Sequence, residues 1–157
     1  MTATAHALVA GSIAAHFTDP ATAILLALTS HYVMDSIPHW DFGTDWRTRP
    51  KAQTGALAIL ETLFGMTVAV WAFHGIVALP LLLATIVVSL LPDWLETPWY
   101  IFFARRDSKG VSKHAPLLEK LSYGFYKVPN VFHTKASMGF GLLTQAVTVG
   151  FFYILLK

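Results

Sequence analysis

Apolar runs as long as a bilayer is thick dominate this sequence. Residues 51–74 hold Glu61 as their only interior charged side chain, and residues 131–156 hold only Lys135. At roughly 1.5 Å per residue, either run is long enough as a helix to cross a hydrocarbon core about 30 Å thick. Across the 157 residues, 55% are apolar and 13% are charged, whereas soluble domains carry about twice that charge. A water-soluble core of this size would need far more polar cover. The chain therefore reads as an all-α, polytopic integral membrane bundle, with residues 1–157 forming one membrane-embedded domain.

Local signals divide it into about five helices. Residues 3–17 are helical in composition but short, and with neither a basic leader region nor a small-residue cleavage pattern they are not expected to be a removable signal peptide. Thr18-Asp19-Pro20 combines a capping carboxylate with a proline suited to the first helical turn, which starts a second helix over 20–37, up to Pro38. A polar loop leads to a third helix at 51–74 and a fourth at 77–91, which Pro92 is expected to end. Residues 94–126 read as an interfacial segment. Trp94, Leu95, Trp99 and Phe102 form one stripe of it, Asp93, Glu96 and Tyr100 another, and 116–126 form a short surface helix with Leu117, Leu118, Leu121 and Phe125 turned inward. The last helix is 131–156.

Charge placement orients the bundle. Ten of the eleven Lys and Arg residues lie in 47–51 and 105–135, and none lies in the connections at 18–20 and 74–76. The positive-inside rule then puts both basic stretches and the N-terminus in the cytoplasm, with Lys157 outside, in a multi-pass protein of the inner (plasma) membrane. These residues are orientation signals, so no nucleic-acid partner is expected.

Ionisable residues on membrane helices are functional candidates by default, since exposure to lipid costs about 2.5–3.5 kcal/mol each. His31 and Asp35 lie four apart on one helical face, with His39 and Asp41 just beyond Pro38. In the assigned topology His6, Asp93 and His133 fall at the same cytoplasmic level, with Glu61 two to three turns deeper. Histidine with carboxylate suits Zn, Mn or Fe, and without cysteine any metal must sit on nitrogen and oxygen. The competing reading for His31 and Asp35 is a hydrogen-bonded pair that staples the bundle. For His6, Asp93 and His133 it is an interfacial polar residue, and for His39 and Asp41 a helix stop and turn. His16 and His74 lie at the outer ends of their helices, while His114, Asp45 and Asp107 read as solvated loop residues. Ser137 and Gly141 form a small-xxx-small packing face. No glycine-rich phosphate loop, nucleophile elbow or internal repeat is evident.

Ala5-His6 opening the first helix, Ser30-His31-Tyr32-Val33-Met34-Asp35 on the second and Leu91-Pro92-Asp93 on a later one resemble a family. It is the small bacterial inner-membrane metal-dependent hydrolases, themselves distantly similar to zinc-dependent phospholipases C. The Leu-Pro-Asp element precedes Ser-His-x-x-x-Asp in that family and follows it here. The family's His-Arg-Gly-x-Thr-His element is missing, and Val131-Phe132-His133-Thr134 is at most a remnant of it. The resemblance implies a metal site built from His6, His31, Asp35 and Asp93, and a hydrolytic activity.

The expected function is a hydrolase at the cytoplasmic face acting on a lipid-like ester or phosphoester. A divalent metal, zinc in the first instance, is held by His6, His31, Asp35 and Asp93 with His39 and His133. Glu61 or Asp41 serves as general base. Trp94 and Trp99 lie beside a membrane-lipid substrate, with Arg105 and Arg106 near an anionic headgroup. The alternative is a non-enzymatic transporter or ion-binding protein using the same cluster, for which five helices are few unless it assembles as a homo-oligomer.

Overall fold

The computed structural model describes residues 1–104 and 110–157, and their regular elements are six helices. They are α1 (Ala3–His16), α2 (Pro20–Ser36), α3 (Lys51–Phe73), α4 (Leu79–Pro98), α5 (Leu117–Phe132) and α6 (Met138–Leu155). A widened π-type turn, Trp99–Phe103, extends α4. Three stretches, Lys51–Phe73, Leu79–Phe103 and Met138–Leu155, are long and apolar enough to cross a membrane.

The helix α1 has 14 residues, about 21 Å of rise, and sits inside the bundle. Its alanines Ala3, Ala7, Ala10 and Ala14 pack with Phe73, Leu82 and Ile86. Small side chains suit this position because helices in lipid associate through close packing, not through exclusion of water. Gly65 of α3 shows the tolerance: a Cβ there would lie 2.8 Å from the Cα of Thr4. The helix α2, of 17 residues, begins as the sequence predicts, with Asp19 accepting from the Thr22 amide at 2.8 Å.

Two boundaries differ from the sequence reading. Pro92 does not end α4, which runs through it to Pro98. A proline costs one backbone hydrogen bond, and packing on both sides holds the helix: Leu90 belongs to the α1 core and Trp99 is buried against Tyr123 and Tyr126 of α5. Residues 94–103 thus belong to α4 and its extension, and α5 takes in residues up to Phe132. The final helix consequently begins at Met138, leaving residues 133–137 as a connector.

The facing of α5 is also reversed. Leu117, Leu118, Leu121 and Phe125 point outward, between 49% and 72% exposed, while Ser122 and Pro129 are buried. The side of α5 that packs inward carries Ser122 and Pro129, with Tyr123 and Tyr126 against Trp99, and the apolar stripe is left outside that contact.

All the connections relevant to the site lie at one end: the starts of α1, α3 and α6 and the ends of α2 and α4. His16 is at the other end, its Nδ1 3.1 Å from the Leu156 carbonyl oxygen, and His74 there contacts only its own helix carbonyls among the described residues.

Candidate metal centre

The site begins with Asp35, in the last turn of α2 and 1% exposed. Its Oδ1 lies 3.1 Å from His6 Nε2 on α1 and 3.7 Å from His39 Nε2. Its Oδ2 lies 3.5 Å from His31 Nε2, one turn earlier on α2, and 3.5 Å from His133 Nδ1. The amino group of Met1 also contacts Asp35 Oδ1. One buried carboxylate thus faces four imidazoles.

Helices alone supply the first group, His6, His31 and Asp93. The rings of His6 and His31 stack at 4.3 Å and both are fully buried, and His31 Nε2 lies 3.6 Å from Asp93 Oδ1. Because α4 continues through Pro92, Asp93 projects from within a helix toward α2.

Backbone pairing builds the second group, Asp35, His39 and His133. Pro38 ends α2, and the chain beyond it lies alongside residues 134–136. The Thr134 amide donates to the Asp35 carbonyl at 2.9 Å, the His39 amide to the Thr134 carbonyl at 3.0 Å, and the Ala136 amide to the His39 carbonyl at 2.8 Å. This brings His39 Nε2 and His133 Nε2 to 2.9 Å, with Asp41 Oδ2 2.7 Å from His133 Nε2 and 3.5 Å from His39 Nε2. His39 Nδ1 is 2.8 Å from the Ile37 carbonyl oxygen, a contact that requires an N–H there and leaves the Nε2 lone pair facing the cluster. From α6, Gln145 donates to the Trp40 carbonyl at 2.8 Å and accepts from the Thr2 amide at 2.7 Å. Gly141 is the small residue that lets this loop approach: a Cβ on it would lie 2.7 Å from the Cβ of Trp40.

Both groups can hold a metal ion. Four ligands about 2.0–2.1 Å from a tetrahedral ion stand about 3.3 Å apart, which is the range of separations found here. His31 Nε2 and Asp35 Oδ2 are buried with no hydrogen-bond partner among the described residues, a costly arrangement for atoms aimed into a polar cluster unless a cation completes it. In the connectors, burial opposes the charged form of His133, but the carboxylates of Asp35 and Asp41 beside it overcome this and raise its pKa to about 9. Burial likewise opposes ionisation of Asp41, and hydrogen bonds from His133 and His39 hold it below the usual carboxylate range.

All six residues expected as ligands lie in the two groups. Asp41 is bonded to His133, which places it in the cluster itself. Glu61 accepts from the Ala3 amide at 2.6 Å and lines an adjoining cavity of about 270 Å³ that also reaches Asp41, Asp93 and His133. Trp94 lines that cavity too. Trp99 does not; it is 1% exposed and stacked among Phe103, Tyr123 and Tyr126, so it is a packing residue between α4 and α5. Arg105 and Arg106 lie outside the described residues.

Sequence reasoning left several residues of the cavity wall without a role. Glu96 accepts from the Tyr100 hydroxyl at 2.6 Å and from Asn130 Nδ2 at 3.3 Å, and Trp46, Lys51 and Lys135 also line the space. The i, i+4 spacing of Glu96 and Tyr100 was a signal for the first of these. Nothing local in the sequence pointed to the others.

Fold and site together define a class: a helical protein with three helices long and apolar enough to cross a membrane and buried histidine–aspartate groups able to hold metal. Comparison with protein-family models, with curated proteins and with solved structures found no match.

Proposed function

We propose that the protein is a membrane-embedded metal-dependent hydrolase of the kind its short motifs resemble, acting on a lipid-like ester or phosphoester at the cytoplasmic face of the inner membrane. The basic stretches at 47–51 and 105–135 support that orientation. The observation that carries the reading is the cavity, which joins the metal-binding residues to an apolar wall. Asp41, Asp93 and His133 line it together with Ala58, Ile59 and Leu90, and Ile59 is half exposed. Lys51 and Lys135 line the same space and suit an anionic group on the substrate.

A divalent ion, zinc, manganese or iron on this nitrogen and oxygen donor set, would supply a Lewis acid for the ester oxygen and would make water a better nucleophile near neutral pH. The protein's residues do the rest. The imidazoles of His6, His31, His39 and His133 and the carboxylates of Asp35 and Asp93 hold the ion. Asp41, whose Oδ2 faces both His133 and His39, stands among the donors and is not free to act as a base, which leaves Glu61 on the cavity wall to take the proton from the attacking water. Trp94 and the apolar wall bind the lipid-like portion.

The test is turnover by detergent-purified, metal-loaded protein on phospholipids, phosphomonoesters and acyl esters. Hydrolysis abolished in His31→Ala and reduced at least 100-fold in Glu61→Gln, with metal content unchanged in the latter, is the expected result. Metal-dependent flux in proteoliposomes with no turnover on any ester would replace the hydrolase with a transporter.

A further inference from the structure

The donor set is too large for one ion and is already divided in two. Seven histidine and aspartate side chains meet at this end of the bundle, whereas zinc in proteins takes four ligands, or five in a transition state. Among the described residues, the ion-pair contact of Asp93 runs to His31 and those of Asp41 run to His39 and His133. The two outer carboxylates therefore serve different pairs of imidazoles. Only Asp35 serves both. Each of its oxygens faces one imidazole of each pair: Oδ1 faces His6 and His39, and Oδ2 faces His31 and the Nδ1 edge of His133, whose Nε2 faces His39 and Asp41.

We infer that the centre holds two divalent ions bridged by the Asp35 carboxylate, one on His6, His31 and Asp93 and the other on His39, His133 and Asp41. The two sets are alike in composition, two imidazoles and one carboxylate each, before the shared aspartate is counted. With Asp35 each reaches four protein ligands of nitrogen and oxygen type. Two unpartnered buried atoms lie where this arrangement needs them: His31 Nε2 belongs to the first set and Asp35 Oδ2 to the bridge. Paired ions in hydrolytic sites stand about 3.5–4 Å apart, a separation that a single carboxylate spans. The division also accounts for the cavity, whose lining includes Asp93 from one set and Asp41 and His133 from the other, so a substrate in it meets both. The inference rests on the hydrolase reading for its chemistry, but the number of ions and their coupling are read without substrate.

The test uses Mn(II) as the probe on the full chain in detergent, with bound metal measured by mass spectrometry and the spin state by electron paramagnetic resonance. About two equivalents at saturation, with the spectrum of an exchange-coupled pair, is the expected result. The His39→Gln/Asp41→Asn variant, checked for helicity by circular dichroism, should keep about one equivalent with an isolated-ion spectrum, and Asp35→Asn should abolish the coupling. Saturation at one equivalent, two equivalents of uncoupled ions, or no bound Mn(II) in the wild-type protein overturns the inference. The two readings fail separately: a coupled pair without turnover on any ester removes the hydrolase alone, and turnover with a single ion removes the pair alone.

Discussion

The two halves of the polar cluster are built by different means. His6, His31 and Asp93 stand on three helices, and both histidines are fully buried. His39, Asp41 and His133 stand on connectors, and the first of these residues is held by backbone hydrogen bonds to a neighbouring strand of chain. A ligand on a packed helix cannot leave without disturbing the bundle, whereas one on a connector can move at lower cost. The helix-borne half should therefore couple metal binding to stability, and the loop-borne half should control access and protonation.

Asp35 belongs to both halves, so replacing it should have the largest effect. Asp35→Ala should lower metal affinity at least 100-fold and cost about 3 kcal/mol of stability, because it strips a buried cluster of its central carboxylate. Denaturant unfolding and metal titration check this, with Asp35→Asn as the shape-conserving control.

The comparison itself is tested by His31→Ala against His133→Ala. Both should lose metal, but His31→Ala should cost about 2–3 kcal/mol and His133→Ala about 1 kcal/mol or less. Equal losses would mean that the connectors are as rigid as the helices.

Protonation should separate the halves next. The His133 pKa, raised to about 9 in the metal-free protein, lies above its unfolded value of 6.5. The stabilisation from its charged form is then fully present below about pH 6.5 and is lost as pH rises through about 9. Melting of the metal-free protein between pH 6 and 10 should show that loss, and His133→Gln should abolish it. Metal binding has the opposite slope over the same window, since the proton must leave before the ring can ligate.

Smaller effects distinguish positions that hold the loop from those that do not. Gly141→Ala places a Cβ against Trp40 and should weaken metal binding about tenfold by shifting His39, whereas Gly139→Ala and Gly150→Ala, with nothing near the new methyl, should gain up to about 1 kcal/mol from helix propensity. Asp19→Ala, at the far end of the bundle, should cost about 1 kcal/mol through the lost cap and leave the metal count unchanged.

Much of this was legible from local chemistry. The spacing of His31 and Asp35 put both on one face, and charge placement put His6, Asp93 and His133 at one level with them. The helix starts at Asp19 and Lys51 followed from capping and from an apolar run. Where the reading failed, two competing forces were present. Pro92 favoured a stop, but the packing of Leu90 and Trp99 carried α4 through it. The α5 stripe was clear, but its facing depended on which side of α5 packed against Trp99, and that was the side of Tyr123 and Tyr126. Trp99 shared a stripe with Trp94, yet the rings of α5 enclosed it while Trp94 stayed on the cavity wall.

What the sequence by itself determined is the apolar runs and the donors: helices long enough to cross a bilayer, and a cysteine-free set of histidines and carboxylates too costly to expose to lipid. Those are properties of residue type and short-range spacing, which a linear reading contains. Only the tertiary structure decided that the donors divide into two groups around Asp35. That division depends on pairing between residues 35–39 and 134–136, nearly a hundred positions apart, and on the close approach of α6 at Gly141. Contacts of that range leave no local periodicity, because they are settled by how whole helices pack.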